Sequence, residues 1–202
     1  MNQLASQIAQ QMLQRYFIEL EASGRHVHLT QADAMTLFGH RLTPKRDLSQ
    51  PGQYLCQERL TLIGPKGEIA NVAVLGPERK ASQVELSLTD CVTLGIHAPV
   101  RLSGDIAGTP GITLRAGDQA VQLSQGVIVA QRHIHMTPED AAAQGVQDKA
   151  VVKLRCLTGR PVIFDDVAVR VSADFRTRAH LDFDEANACG FAKGDLGMIV
   201  HE

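Results

Sequence analysis

The chain has 202 residues, of which 44% are hydrophobic, so it is long enough to bury one large core or two small ones. A formal net charge of −2 and a pI near 6.4 give no support to a nucleic-acid-binding surface, and no apolar run approaches the ~20 residues of a membrane-spanning helix. The chain has four widely spaced cysteines, Cys56, Cys91, Cys156 and Cys189. They form no Cys-x-x-Cys motif, which is typical of a reduced, intracellular protein.

The first seventeen residues predict an amphipathic helix. Apolar side chains recur every four positions, at Leu4, Ile8, Met12 and Tyr16. The opposite face is rich in glutamine and has no charge before residue 15, so the segment lacks the basic residues of a secretory signal or a mitochondrial presequence. Two interpretations remain open: the helix packs on the core of this protein, or its apolar face binds another protein.

A repeated hexapeptide organises the rest of the chain. Residues 25–30 are Arg-His-Val-His-Leu-Thr, and residues 132–137 are Arg-His-Ile-His-Met-Thr. The β-branched residue between the histidines favours a strand, in which alternate side chains share a face, so each motif presents two imidazoles side by side. Such pairs predict transition-metal sites, with zinc as the first choice and cobalt or iron as alternatives. The competing interpretation is a pair of ordinary core or surface histidines.

The repeat extends into a helix start. The threonine that ends each hexapeptide predicts a helix N-cap, with an acidic residue three positions later and a glycine where the helix stops. Two further copies of this pattern begin at Glu85 and at His180. In all four copies a candidate metal ligand lies two residues before the cap: His28, Glu85, His135 and His180. The pattern indicates an internal duplication, with two strand–helix units in each half.

Short strands, glycine-rich turns and short helices predict a mainly β protein. We expect two related small β-barrels from the duplication, preceded by the N-terminal amphipathic helix. The predicted boundaries are residues 1–20 for the helix, 21–115 for the first barrel and 116–202 for the second. No Walker A motif, dinucleotide-binding glycine motif or nucleophile elbow is present.

Several continuous blocks share the features of one family: the two Arg-His-x-His motifs, Leu75-Gly76-Pro77-x-Arg79, Ser82-Gln83-Val84-Glu85, Gly108-Thr109-Pro110-Gly111-Ile112 and the stretch from Gly126 to His135. Over roughly residues 22–200, these blocks resemble the PduL-type phosphotransacylases, or phosphate propanoyltransferases. The resemblance implies a pair of β-barrels that carries two zinc ions. It also implies that each His-x-His pair is completed by a ligand from the opposite half: His26 and His28 with His180, and His133 and His135 with Glu85.

The same resemblance implies an activity and its surroundings. Short-chain acyl-CoA and phosphate would be interconverted with acyl phosphate and CoA, by direct attack of zinc-bound phosphate on the thioester, and Arg79 corresponds to the phosphate-binding arginine. The enzyme would reside in a bacterial microcompartment, where residues 1–17 bind shell or core proteins. Nucleic acid and membrane are not expected partners, and a homo-oligomer is a further possibility. The lead-in at residues 17–24 departs from the family's usual sequence, which leaves the acyl preference, acetyl or propanoyl, open.

Two rival functions use the same residues. One is a dizinc hydrolase of a phosphate or acyl ester, with water as the nucleophile. The other is a non-catalytic, metal-stapled module of a larger assembly. Arg25 and Arg132, which precede the histidine pairs, either contact phosphate or CoA or pair with the capping acids; the second role is slightly favoured.

Overall fold

A computed structural model describes residue 12 and residues 15–201. Of the predicted N-terminal helix, Met12, Arg15 and Tyr16 are described and are helical, and the remainder of that prediction lies outside the described residues. None of the helices in the described part is long and apolar enough to cross a membrane.

Strands and helices are numbered along the chain. The described residues form the strands β1 Ile18–Ala22, β2 His26–His28, β3 Pro44–Asp47, β4 Tyr54–Ile63, β5 Glu68–Gly76, β6 Gln83–Leu86, β7 Val100–Arg101, β8 Ile112–Ala116, β9 Gln119–Leu123, β10 Val127–Ala130, β11 His133–Met136, β12 Val151–Leu157, β13 Ile163–Val171, β14 Arg178–Leu181 and β15 Leu196–Val200. After residue 17, the described helices are α1 Gln31–Phe38, α2 Leu88–Leu94, α3 Pro138–Ala143 and α4 Phe183–Ala188.

The chain divides into two compact units. The continuous unit is Gly24–Gln131, and the split unit combines the chain up to Ser23 with the chain from Arg132 onward. In the split unit, six strands close into a barrel in the order β1-β14-β11-β13-β12-β15. Its interior is filled by buried aliphatic side chains, among them Ile18, Leu20, Ile134, Met136, Leu154 and Leu181.

The continuous unit has a nine-stranded sheet with a core of its own. Its strands follow the order β7-β10-β6-β2-β5-β4-β8-β9, and β3 pairs with β4. Strand β2 lies between antiparallel β6 and parallel β5, and β11 of the split unit lies in the same way between antiparallel β14 and parallel β13. The prediction of a mainly β protein with two related barrel-like units is therefore confirmed.

All four predicted helix starts are present. In each, the side chain of the N-cap residue accepts a hydrogen bond from the backbone N–H three residues later, and the caps are Thr30, Ser87, Thr137 and Asp182. Helices α1 and α2 end at left-handed glycines, Gly39 and Gly95. These caps fix the point at which each strand that carries candidate ligands turns into a helix.

The division of the chain differs from the predicted boundaries. Strand β1 leads to His26 of the continuous unit, yet it pairs with β14 and β15 of the split unit. Strand β10 leads to His133 of the split unit, yet it pairs with β6 and β7 of the continuous unit. The predicted boundary at 115–116 falls inside β8, which forms a hairpin with β9. Local patterns show that a segment is a strand, whereas the partner of the strand depends on distant residues.

Candidate metal centres

The first candidate centre lies in the continuous unit. His26 on β2 is directly opposite Glu85 on the antiparallel strand β6, and His28 shares the face of His26 because it is two residues further along. The Nε2 atoms of the two histidines are 3.2 Å apart, and Glu85 Oε1 lies 3.6 Å from His26 Nε2 and 3.8 Å from His28 Nε2. A tetrahedral ion with metal–nitrogen bonds of about 2.0–2.1 Å separates its ligand atoms by roughly 3.4 Å. The three buried side chains therefore suit a single ion.

The surroundings prepare these side chains to bind a cation. His26 Nδ1 donates to the carbonyl of Gly24 at 2.9 Å, so in the neutral ring Nε2 keeps its lone pair. Burial opposes the charge on Glu85, but His26 and His28 hold its pKa well below the ordinary 4.5. Burial lowers the pKa of His26, but Glu85 raises it by more. Burial, followed by the charges of His26 and Arg79, lowers the pKa of His28. A carboxylate beside a neutral imidazole is a donor set for a divalent cation.

The second candidate centre lies in the split unit. His133 on β11 is opposite His180 on the antiparallel strand β14, and His135 follows two residues later on the same face as His133. A ligand atom from each of the three histidines lies within 4.8 Å of the other two. The rings of His133 and His180 stack with their centroids 5.0 Å apart. Three imidazoles form a donor set that suits zinc, with a further coordination position left for another ligand.

The grouping within each unit differs from the one that the resemblance implied. Each His-x-His pair takes its third candidate ligand from its own unit, so Glu85 accompanies the first pair and His180 the second. The reason is strand pairing, because the antiparallel neighbour of β2 is β6 and that of β11 is β14. The sequence did contain this information, since the capped copy that follows each histidine pair along the chain supplies the third residue.

Arg79 lies beside the first centre. It follows the end of β5, and its backbone N–H donates to the carbonyl of Leu29 at 2.8 Å, which holds this segment next to the end of β2. Its Nη1 donates to Ser103 Oγ at 2.9 Å. Its positive charge adds to the lowering of the His28 pKa and offsets part of the rise in the His26 pKa. The arginine thus places a cation next to the candidate metal ligands of the continuous unit.

The two arginines that precede the histidine pairs bind capping acids, as slightly favoured from the sequence. Arg25 Nη2 lies 2.7 Å from Asp90 Oδ1, and Arg132 Nη1 lies 2.9 Å from Glu185 Oε1. Each acid is the third residue of the helix that follows the third candidate ligand. Each ion pair therefore fastens the start of a histidine strand to the helix next to its partner strand.

Sequence reasoning did not find three neighbours of these centres. Gln83 Nε2 donates to Glu85 Oε1 at 2.6 Å and to Ser103 Oγ at 2.9 Å. The ring of Phe175 packs on His135 with 4.2 Å between centroids. The period of a strand would have placed Gln83 and Glu85 on one face, because they are two residues apart. Ser103 and Phe175 lie in turns, where no periodic pattern indicates their neighbours.

Comparison with known proteins places this sequence in a family. The sequence model of the family described as phosphate propanoyltransferase matches residues 19–192. A phosphate propanoyltransferase from Listeria monocytogenes is 56% identical over 199 residues, which cover 98% of this chain and 93% of that protein. One from Enterococcus faecalis is 53% identical over 204 residues, covering 99% of this chain and 97% of that protein. One from Thermotoga maritima is 52% identical over 181 residues, with coverages of 88% and 86%. The chain belongs to the phosphate propanoyltransferase family and is an enzyme of this acyltransferase type.

Proposed function

We propose that the enzyme transfers a short acyl group between coenzyme A and phosphate, reversibly converting acyl-CoA and phosphate into acyl phosphate and CoA. The observation that carries this proposal is the Arg79 guanidinium beside the buried group of His26, His28 and Glu85, in a chain of this family. A guanidinium presents paired N–H donors that match two phosphate oxygens. We assign Arg79 as the residue that clamps the phosphate.

We propose that each candidate centre binds one zinc ion. The first set supplies two imidazoles and a carboxylate, and the second supplies three imidazoles. Both are donor sets of catalytic zinc sites, which leave a coordination position open. When bound, zinc would supply Lewis-acid stabilisation of oxygen atoms that carry or develop negative charge.

Direct transfer without an acyl-enzyme is supported by the state of the cysteines. All four are buried, and burial raises the pKa of Cys56 and of Cys156 to about 12, so neither is a thiolate at neutral pH. In the proposed step, a phosphate oxygen held by Arg79 forms a bond to the thioester carbonyl carbon. The carbon–sulfur bond then breaks, and CoA leaves as the thiolate and takes up a proton.

The test of this function is Arg79→Ala, assayed by CoA release from acetyl- and propanoyl-CoA at varied phosphate concentrations. We expect a loss of about 10²-fold or more in rate with metal content unchanged. Arg79→Lys should retain only part of the wild-type rate, because the point charge of an ammonium group cannot replace the planar guanidinium with its paired N–H donors. Trapping with hydroxylamine distinguishes acyl phosphate from the free acid. CoA release that needs no phosphate and yields only the acid would instead indicate the hydrolase, and zinc binding with no turnover would indicate the non-catalytic module.

The grouping of the metal ligands is tested by metal analysis of paired variants. His26→Ala with Glu85→Gln removes two ligands of one proposed centre, so one of two ions should be lost. His26→Ala with His180→Ala removes one ligand from each centre, so both ions should be lost or bound more weakly. His97→Ala, at an exposed histidine, serves as the control. Loss of both ions in the first double variant would contradict the grouping.

We also propose that residues 1–17 direct the enzyme to a bacterial microcompartment by binding shell or core proteins as a helix in a groove. Met12 and Tyr16 support this role, because they belong to the predicted apolar stripe and are 55% and 51% exposed. A chain that begins at Ile18 keeps β1 and should retain metal and turnover while losing co-assembly with shell proteins. Loss of metal or turnover in this truncated chain would show that the segment belongs to the core.

A further inference from the structure

A chain of hydrogen bonds in the continuous unit joins Arg79 to the carboxylate of Glu85. Arg79 Nη1 donates to Ser103 Oγ at 2.9 Å, and Gln83 Nε2 donates to the same oxygen at 2.9 Å. Gln83 Nε2 also donates to Glu85 Oε1 at 2.6 Å. Ser103 and Gln83 together thus link the arginine to the candidate metal ligand.

A backbone hydrogen bond fixes the orientation of the Gln83 amide in this series of hydrogen bonds. The N–H of Gly104 donates to Gln83 Oε1 at 2.8 Å, so the amide oxygen must face Gly104 and the amide nitrogen must face Ser103 and Glu85. Gln83 is only 2% exposed, which excludes competing water from most of its surface. The amide therefore works as a rigid spacer with one possible orientation.

The position of Ser103 is fixed by a tight turn. The N–H of Asp105 donates to the carbonyl of Leu102 at 3.0 Å, and Gly104 has φ of +100°, a value that side-chain-bearing residues rarely adopt. Ser103 Oγ accepts the two bonds from Arg79 and Gln83. A hydroxyl group has two acceptor sites, and both are used here.

We propose that Ser103 is a positioning residue, which holds the Arg79 guanidinium in a fixed direction relative to Glu85 so that the phosphate clamped by Arg79 meets the first metal centre. This inference rests on the proposed role of Arg79 in binding phosphate. Ser103 acts through Arg79 and does not itself need to touch the substrate. Removing its hydroxyl group should therefore weaken phosphate binding and leave acyl-CoA binding unchanged.

The experiment measures Ser103→Ala, Ser103→Thr, Arg79→Ala and the double variant Ser103→Ala/Arg79→Ala on the metal-loaded enzyme. A hydrogen bond to a charged group, when lost, typically costs about tenfold or more in binding. We expect Ser103→Ala to raise KM for phosphate, and the Kd of inorganic phosphate measured by calorimetry, by about tenfold. KM for acyl-CoA should change by less than about twofold, and metal content should stay at the wild-type value. Ser103→Thr keeps the hydroxyl and should bring phosphate KM back to within about threefold of wild type.

The double variant separates positioning from a direct contact. Since Ser103 acts through Arg79, Ser103→Ala should add nothing to the defect of Arg79→Ala in kcat/KM for phosphate. Ser124→Ala, at an exposed serine of the same unit, is the matched control and should behave as wild type. Additive losses, or an unchanged phosphate KM in Ser103→Ala beside a large defect in Arg79→Ala, would overturn the role of Ser103 and leave the proposed function standing. An unchanged phosphate KM in Arg79→Ala would overturn the proposed function itself.

Discussion

The ion pair between Arg25 and Asp90 gives a quantitative test of how the first histidine strand is held. The Asp90 side chain is 4% exposed and that of Arg25 is 37% exposed. Removing one partner of a fully buried pair costs about 3–5 kcal/mol, whereas an exposed pair contributes about 0.2–1 kcal/mol. For a buried acid with a half-exposed base we expect Arg25→Ala to lower the free energy of unfolding by about 2 kcal/mol. With a urea m-value of about 2 kcal/mol per M, the midpoint should fall by about 1 M.

A double-mutant cycle of Arg25 and Asp90 separates the cost of an unpaired buried charge from the other effects of each substitution. Asp90→Asn removes the buried charge and keeps an oxygen for the Ser87 N–H, which Asp90 Oδ2 accepts at 3.1 Å. Once this charge is gone, adding Arg25→Ala should cost less than about 0.5 kcal/mol. Arg101→Ala is the matched control, because Arg101 and Asp105 are 47% and 53% exposed. Its effect on stability should lie within about 0.5 kcal/mol.

Urea unfolding of the four variants, followed by circular dichroism, measures these free energies, and steady-state kinetics measures phosphate KM. Additive effects of Arg25→Ala and Asp90→Asn would refute the argument from a stranded buried charge. A large rise in phosphate KM for Arg25→Ala at unchanged stability would show that Arg25 contacts substrate and does not serve the helix cap.

Three further outcomes follow from the geometry. A Cβ on Gly111 would lie 2.0 Å from the carbonyl oxygen of Leu123, so Gly111→Ala should destabilise the protein by about 2 kcal/mol, whereas Gly159→Ala, with open space around it, should be neutral in thermal unfolding. In the metal-free protein, the depressed pKa of Glu85 contributes stability that is fully present above pH 4.5 and declines as the pH falls through the lower pKa of the folded state. Glu85→Gln should therefore weaken the fall in the free energy of unfolding at acid pH. An unchanged fall would contradict the depressed pKa of Glu85. All four cysteines are buried: Cys56, Cys91, Cys156 and Cys189. A thiol reagent at neutral pH should therefore label almost none of them in the native protein and all four in guanidinium. Rapid labelling of the native protein would contradict this expectation.

The parts of the fold that could be predicted are those with a local cause. The His-x-His strands follow from β-branched residues between the histidines, and the helix starts follow from capping residues whose partners lie three positions away. Gln83 and Glu85 could also have been linked by their spacing. The fit of Ser103 to Arg79 depends on a turn far along the chain, and the choice of β14 and β15 as neighbours of β1 depends on residues more than 150 positions away. Such contacts leave no periodic trace in the sequence.

The place of β1 has a consequence for the order in which the protein can be assembled during synthesis. Ile18 and Leu20, which are 1% and 2% exposed in the finished barrel, leave the ribosome before any strand that covers them. Residues 24–131 contain every strand of their own sheet and can fold while residues 132–202 are still being made. The barrel closes only when β14 and β15 arrive, so we expect folding to show an early phase for the continuous unit and a late one for the split unit. A chaperone that shields the first strand in the interval would raise the yield of folded enzyme without changing its stability.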